Sequence, residues 1–260
     1  MFDFIIYFCK DRNNRNRSLG SRHKEILIMK AQRVRRFPPQ SDIRNPCKKL
    51  PISPFGVSDT GYRDILGEAA WARLNPEIRQ RFSIRPVAGQ CVRYAGVMDR
   101  VELSWMGWFF AQACRLIGTP LAPYRGKNVH MQIELIWDQK LNGVAWNRIY
   151  HFRAGRAFTV RSTKSRGGCG ELIEHIGCGF SMRLKLAEKG GNLVFTSTAY
   201  LLSIAGRTIR IPALLTPGVT TVTHEQIEGD RFRFSLAVDH PLLGRTIFQD
   251  GEFYSDVSER

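Results

Sequence analysis

The chain has 260 residues, 43% of them hydrophobic and 24% charged, a composition typical of a globular protein rather than a disordered or fibrous one. Its formal net charge is +16, but residues 1–50 hold 13 Lys and Arg against 4 Asp and Glu, so +9 of the excess belongs to the first fifth of the chain. This distribution argues against a dedicated nucleic-acid-binding domain. No apolar stretch approaches the about 20 residues that a membrane-spanning helix requires.

Residues 1–60 form a basic segment with little apolar periodicity, and five prolines interrupt its second half. Such a segment cannot bury enough apolar surface to order itself, so we predict a disordered arm. The opening "MFDFIIYFCK" lacks the leading positive charge and the cleavage site of a secretory signal, and we predict that translation begins at Met29. We expect residues 10–49 to make weak contact with anionic surfaces and no specific contact with nucleic acid.

The segment after the arm indicates helices. In "YRDILGEAAWARLNPEIRQRF" the apolar residues of the first half recur at near-helical spacing, and Pro76 marks the start of a second short helix. The stretch "QCVRYAGVMDRVELSW" then predicts a strand or a hairpin. The following "WMGWFFAQACRLIG" is apolar almost all the way round, so we predict a helix over 105–117 that is buried in the core.

From Lys127 onward the hydrophobic period is two, which is typical of strands. In "NVHMQIELIW" alternate residues from Val129 to Trp137 share one face, and turn sequences such as "RAGR", "EKGGN" and "HPLLG" separate the later segments. The pattern predicts an antiparallel meander of about eight to ten strands. We therefore predict a single α+β domain over residues 61–260, with N-terminal helices packed against a strongly curved antiparallel sheet or barrel. Helix-grip-like and lipocalin-like arrangements both fit, and the pattern does not distinguish an open sheet from a closed barrel.

Sequence motifs of the common catalytic sites are missing from the chain. It contains no GxxxxGK[ST], GxGxxG, HExxH or GxSxG pattern. Its six cysteines include no CxxC pair and its six histidines are scattered singly, so nothing supports a metal site. We predict neither a metal nor a cofactor, and we expect reduced thiols in a cytoplasmic protein.

Two strand segments carry a charge among apolar residues. Read as a strand, "WNRIYHF" places Arg148 on one face with Trp146 and Tyr150, and "ELIEHIG" places Glu174 between two aliphatic residues. Charged groups are almost never fully buried unless they are paired. In one interpretation Arg148 and Glu174 pair directly on the concave face of the sheet, and in the other each charge lies in water. Alternation identifies faces but not which face is inside, so both interpretations remain open.

These residues resemble a known family. The run Trp146-x-Arg148-x-x-x-Phe152, then Phe158, then "GELIEHIG" with Glu174, is similar to the bacterial family called domain of unknown function 4166. Further similarity lies in "IRIPALLTPG", "FRF" and "FQDGEF", and the resemblance covers roughly residues 62–254. Members of the family occur alone or fused behind a saccharopine-dehydrogenase-like domain, which implies a functional link to such a domain. The family has no established catalytic residues, so the resemblance implies a fold and not a reaction.

Three functions are compatible with these features. The first is binding of a hydrophobic small molecule or lipid in the concavity of the curved sheet. A core that is filled by the protein's own side chains, with no ligand, is a nearly equal alternative. The second is an enzyme that uses Glu174 as acid or base with Arg148 as anion stabiliser. The third is a peripheral membrane-surface protein that uses the basic arm and the exposed side of "WMGWFF". The predicted ligand-binding residues are Trp137, Trp146, Arg148, Tyr150, Phe158 and Glu174.

Overall fold

The computed structural model describes residues 61–86, 89–115, 121–152 and 156–256. The predicted arm over residues 1–60 and the predicted start at Met29 lie outside the described residues. The described part of the chain begins with short helices and continues as a strand-rich domain.

Within the described residues, three short helices precede the sheet: α1 (Tyr62–Leu66), α2 (Glu68–Arg73) and α3 (Pro76–Ser83). The apolar spacing predicts one continuous helix where α1 and α2 lie, but Gly67 separates the two helices. Its φ of 86° and ψ of 146° are far from helical values and belong to a backbone region that glycine reaches at little cost. Pro76 begins α3 as predicted, because the first residue of a helix needs no backbone N–H.

Eleven antiparallel strands and a further helix follow. The alternating segments are strands as predicted, and "QCVRYAGVMDRVELSW" forms one strand of 13 residues rather than a hairpin. The elements are β1 (Cys91–Leu103), α4 (Trp105–Cys114), β2 (Gly126–Asp138), β3 (Gly143–Phe152), β4 (Arg156–Arg166), β5 (Leu172–Gly177), β6 (Phe180–Lys189), β7 (Asn192–Ile204), β8 (Arg207–Ile211), a 3₁₀ turn (Ala213–Leu215), β9 (Val219–Gln226), β10 (Phe232–His240) and β11 (Gly244–Ser255).

Ten of the strands close into a barrel. Consecutive strands pair from β1 to β7, β7 then pairs with β9, and β9, β10 and β11 lead back to β1. Strand β8 lies outside this ring and pairs with the second half of β7, from Tyr200 to Ile204. The pairing of β6 with β7 shifts register between Arg183 and Leu184. Near this shift, the strand on the other side of β7 changes from β9 to β8. The predicted α+β class is confirmed, and the closed sheet corresponds to the lipocalin-like alternative.

The two ends of the barrel differ. One end, called the capped end, carries the β2–β3, β4–β5, β6–β7 and β9–β10 turns, and the N-terminal helices attach there. Arg166 in β4 donates to Asp64 of α1 at 3.0 Å, and Arg73 of α2 donates to Glu188 of β6 at 2.7 Å. The opposite end, called the α4 end, carries α4 together with the β5–β6 and β10–β11 turns.

The barrel interior is lined mainly by apolar side chains from alternate positions of the strands. Tyr62, Ile78 and Phe82 of the helices belong to the same core, so the helices cover the capped end. The strand residues of this core that are at most 5% exposed include Met98, Met131, Ile133, Tyr150, Val160, Leu184, Phe195, Phe234, Ile247 and Phe253.

Helix α4 is exposed, so the prediction of a buried helix over 105–117 is wrong for the described residues 105–114. Trp105, Trp108 and Phe109 are 74%, 48% and 57% exposed. A methyl group on Gly107 would lie 2.0 Å from the carbonyl oxygen of Thr246 in β11, so the helix rests against the barrel edge through its small residues. A short helix held along one narrow strip leaves its large side chains in solvent, however hydrophobic they are.

The described cysteines fit the predicted reduced state with one exception. Cys91, Cys114 and Cys169 form no disulfide bond. Cys178, in the β5–β6 turn, is disulfide-bonded, so the prediction is wrong for this residue. The spacing of cysteines along a chain does not show which thiols meet after folding.

Candidate functional site

Arg148 of β3 and Glu174 of β5 both point into the barrel, and a serine on the strand between them connects them. Arg148 Nη2 donates to Ser162 Oγ at 2.8 Å, and Ser162 Oγ donates to Glu174 Oε1 at 2.5 Å. The direct distance from Arg148 Nη2 to Glu174 Oε1 is 3.8 Å, and the two side chains are 12% and 5% exposed. The two charges therefore meet inside the barrel, with Ser162 completing the contact that was expected to be a direct hydrogen bond.

Lys164 of β4 adds a second cation to this site. Its Nζ lies 3.1 Å from Glu174 Oε1, and the side chain is 11% exposed. The same amino group lies 4.8 Å from the centroid of the Trp146 ring. Arg148, Ser162, Lys164 and Glu174 are called the charge cluster, and it holds two cations against one carboxylate within an otherwise apolar part of the barrel.

The members of the charge cluster shift one another's pKa values. Burial raises the pKa of Glu174, but Lys164, Arg148 and the Ser162 hydroxyl together outweigh burial, so that this pKa lies below its ordinary value. Burial lowers the pKa of Lys164, while Glu174 opposes the change and Arg148 adds to it. Glu174 is therefore ionised at neutral pH, and the proton on Lys164 decides whether the cluster carries an excess positive charge.

An aromatic cluster lies beside the charge cluster, beneath the helices. Phe82 of α3 enters the barrel and stacks on Trp146 with 6.3 Å between ring centroids. The same phenyl ring packs against Tyr62 at 5.5 Å, Phe195 at 5.7 Å and His224 of β9 at 4.9 Å. Trp146 thus contacts both clusters and places the buried charges next to the helical cap.

His224 is a buried imidazole within the aromatic cluster. It is 3% exposed, and its Nδ1 atom has no hydrogen-bond partner among the described residues. Burial lowers the pKa of His224 well below its ordinary value, and the charges of Arg81 and Lys164 lower it further. Because the folded pKa is lower than the unfolded one, the unfolded chain binds a proton in mild acid that the folded protein does not bind.

We therefore expect the protein to lose stability as the pH falls below about 6.5, by up to about 1.4 kcal/mol per pH unit for this proton. Replacing His224 by glutamine removes this contribution and makes the free energy of unfolding less dependent on pH in that range. Urea unfolding at a series of pH values measures the slope. His151→Gln, at an exposed position of β3, is the matched control because it leaves the buried imidazole in place. An unchanged slope in His224→Gln would show that His224 does not cause the acid sensitivity.

The other predicted lining residues lie at other levels of the barrel. Tyr150 is 2% exposed, and its hydroxyl donates to Gln249 Oε1 at 2.8 Å. Trp137 lies towards the capped end, with the guanidinium of Arg85 3.6 Å from its ring centroid. Phe158 lies towards the α4 end and is partly buried. The predicted residues that the structure brings together are Trp146, Arg148 and Glu174.

Some inward-facing side chains near the α4 end of the barrel are only partly buried. The inward-facing Phe152 and Met182, near the α4 end, are partly buried. By contrast, Leu193 and Phe253, near the capped end, are both 0% exposed. Between these levels, Arg148 and Lys164 of the charge cluster are 12% and 11% exposed.

Sequence reasoning missed Lys164 and His224. The alternation in "AFTVRST" places Ser162 on the face of Phe158, and extending it by one more pair places Lys164 on that face as well. The sequence therefore contains a signal that could have identified Lys164. His224 gave no comparable signal, because a lone histidine on a strand fits a solvated face as well as a buried one.

These features define the protein as a closed α+β barrel with an apolar interior, one buried charge cluster and helices across one end. A family model described as "Domain of unknown function (DUF4166)" matches residues 74–253, and the chain belongs to this family. No curated protein and no solved structure matches the chain.

Two findings concern metals and membranes. Within the described ranges, no group of three His, Cys, Asp or Glu residues is placed to hold a metal ion. No helix in that same part of the chain is long and apolar enough to cross a membrane. The cytoplasmic location, the absence of a cofactor and the nature of the partners stay predictions.

Proposed function

We propose that the barrel binds a lipid-like molecule that has an apolar chain and an acidic head group. The observation that carries this proposal is the charge cluster, in which Arg148 and Lys164 share the single carboxylate of Glu174 inside an apolar barrel. Burying a charge without full compensation is costly. A ligand carboxylate or phosphate at this position would supply the missing negative charge.

Arg148 is the residue best placed to hold the acidic group. Its Nη2 atom is engaged by Ser162, but its Nε is buried and has no hydrogen-bond partner among the described residues. A guanidinium offers several donors in one plane, and an oxyanion accepts such donors in charge-assisted hydrogen bonds. We infer that the head group accepts a hydrogen bond from this free Nε–H.

The apolar part of the ligand would extend from Arg148 towards the α4 end. The inward-facing side chains on that side include Phe152, Phe158 and Met182, which are partly buried and pack against the core. A path lined by such residues suits an alkyl chain, because binding removes apolar surface of both the chain and the protein from water.

The acid–base alternative has less support. The two cations and the Ser162 hydroxyl that lower the pKa of Glu174 make its carboxylate a weak base. They also keep it ionised at neutral pH, where it has no proton to donate as a general acid.

The test compares a fluorescent polyene fatty acid with the corresponding alcohol. Arg148→Met is expected to weaken binding of the acid by about tenfold or more, since a hydrogen bond to a charged group contributes about 1.5–3 kcal/mol. Binding of the uncharged alcohol should change little. Fluorescence titration measures both affinities, and native mass spectrometry of the purified protein detects any lipid that is carried along.

The matched control is Arg161→Met. Arg161 lies on β4, as Lys164 does, but it faces outwards, pairs with Asp138 at 3.2 Å and is 50% exposed. It should bind the fatty acid as the unmodified protein does. Equal loss in both variants would show that the effect is a general one of charge, and failure of the unmodified protein to bind either probe would favour an interior filled by its own side chains.

A further inference from the structure

Large apolar side chains are exposed together around the α4 end of the barrel. They come from α4, from the segment before β2, from the 3₁₀ turn and from the β10–β11 turn. Leu215 and Leu242 are 71% and 75% exposed, close to the 74% of Trp105 in α4. The surface is called the rim and is defined by Trp105, Trp108, Phe109, Tyr124, Leu215 and Leu242.

One histidine connects three of these segments. The ring of His240 stacks on Phe110 of α4 with 6.4 Å between centroids. Its Nδ1 accepts hydrogen bonds from the backbone N–H groups of Leu242 and Leu243, each at 3.2 Å, and its Nε2 lies 3.4 Å from the carbonyl oxygen of Leu214. The apolar segments are therefore held side by side as one surface rather than scattered over the barrel.

The fourth segment joins the rim through a groove beside α4. Trp105, Trp108 and Phe109 form one wall, and Tyr124 and Arg125 form the other, around a volume of about 620 Å³. The ring of Tyr124 also packs 5.5 Å from Phe158, which faces the barrel interior. The rim is thus continuous with the side chains that line the α4 end of the barrel.

The charge around the rim is mainly positive, and the nearest carboxylate, Asp239 at the end of β10, pairs with Arg245 at 3.0 Å. The segments 104–115, 121–128, 205–219 and 240–246 contain six Lys and Arg and no Asp or Glu. The turns of the capped end, 138–143, 166–172, 188–192 and 226–232, contain four Lys and Arg and five Asp and Glu. The positive charge of the described domain is therefore concentrated around its exposed apolar end.

We propose that the rim docks on an anionic lipid bilayer. Tryptophan and tyrosine favour the interface between water and hydrocarbon, and apolar side chains flanked by Lys and Arg bind surfaces that contain acidic lipids. A protein surface carries charges of both signs, so a rim with a large excess of Lys and Arg fits a uniformly negative bilayer better than a protein partner. Docked in this way, the α4 end of the barrel faces the membrane. The inference stands independently of the proposed ligand.

The test measures flotation of the full-length protein with phosphatidylcholine vesicles that contain or lack phosphatidylserine. We expect binding to the vesicles with phosphatidylserine, and quenching of tryptophan fluorescence when their acyl chains are brominated. Trp71 and Trp146 are 6% and 8% exposed, and the partly buried Trp137 lies at the capped end beneath the guanidinium of Arg85. Trp105 and Trp108 are therefore the tryptophans at the docking surface, within reach of the quencher. Phe109→Ser should weaken vesicle binding about tenfold, because an inserted aromatic side chain leaves water on docking.

The matched control is Leu141→Ser in the β2–β3 turn, which removes a 39% exposed side chain at the capped end. It should bind vesicles as the unmodified protein does. Flotation without quenching, with equal binding of both variants, would overturn the proposal and assign binding to residues outside the rim. Absence of flotation would overturn it in favour of a protein partner. The fatty-acid titration uses no vesicles, so its failure and the failure of this test are separate results.

Discussion

Replacing Glu174 by glutamine is expected to lower the free energy of unfolding by about 3–5 kcal/mol, the cost of removing one partner from a buried ion pair. The substitution keeps the shape of the side chain and a group that can accept from Ser162. It leaves Arg148 and Lys164 without a neighbouring negative charge inside the barrel, where their side chains are only 12% and 11% exposed. Urea unfolding of the variant and of the unmodified protein measures the difference.

The control for Glu174→Gln is the same change at Glu134. Glu134 pairs with Arg93 at 3.0 Å on the outer face of the barrel, where the two side chains are 25% and 34% exposed. A surface pair of this kind contributes about 0–1 kcal/mol. Adding Lys164→Met to Glu174→Gln should recover part of the lost stability, because it removes one of the stranded cations. Equal effects of the two glutamine variants would mean that water compensates the charge cluster.

Arg148→Met is expected to cost less stability than Glu174→Gln. In one of the two interpretations of the sequence Arg148 pairs with Glu174, so its removal would strand a buried carboxylate. In the structure Lys164 Nζ lies 3.1 Å from that carboxylate and stays there when Arg148 is replaced. The carboxylate, not the arginine, is the group on which the balance of charge depends.

The strands were predictable because inward and outward side chains alternate along them, and a two-residue period survives in the amino-acid sequence. The closure of the barrel was not, because it depends on pairing between distant positions. Leu193 of β7 pairs with His224 of β9, although all of β8 lies between these two residues in the sequence. Nothing within either segment indicates this partner, since each alternates equally well beside any neighbour.

The candidate site was predictable to the extent that it follows from alternation. Arg148 and Glu174 each share a face with apolar residues, and both faces turn inward. The intervening Ser162 and the second cation depend on how strands β3, β4 and β5 are aligned. Trp146 lies opposite Ser162, and Lys164 lies opposite Glu174. That alignment follows from the lengths of two turns and is not visible in the residues of the site.

Helix α4 shows why hydrophobicity alone misplaced an element. An apolar stretch of about three turns fits a core helix and an exposed surface for a partner equally well, because both exclude polar residues. The distinguishing contact is the approach of Gly107 to Thr246, which only the folded barrel creates.

Phe82→Ala is expected to lower the free energy of unfolding by about 3–5 kcal/mol, as truncation of a buried phenylalanine does. Phe82 is 2% exposed and fills the space among Tyr62, Trp146, Phe195 and His224, so its ring joins α3 to the barrel interior. Losing the ring leaves a cavity that these aromatic side chains cannot fill without moving apart. Urea unfolding again gives the magnitude.

Phe109→Ala is the matched control for the cavity argument. It removes the same ring from a position that is 57% exposed, so it should change stability by no more than about 0.5 kcal/mol. Loss of the Phe82 ring should also loosen the packing around the His224 imidazole, admit water and raise its lowered pKa, which weakens the acid sensitivity of folding. If Phe82→Ala destabilises the protein but leaves the slope against pH unchanged, the cavity has stayed dry and the aromatic cluster has closed over it.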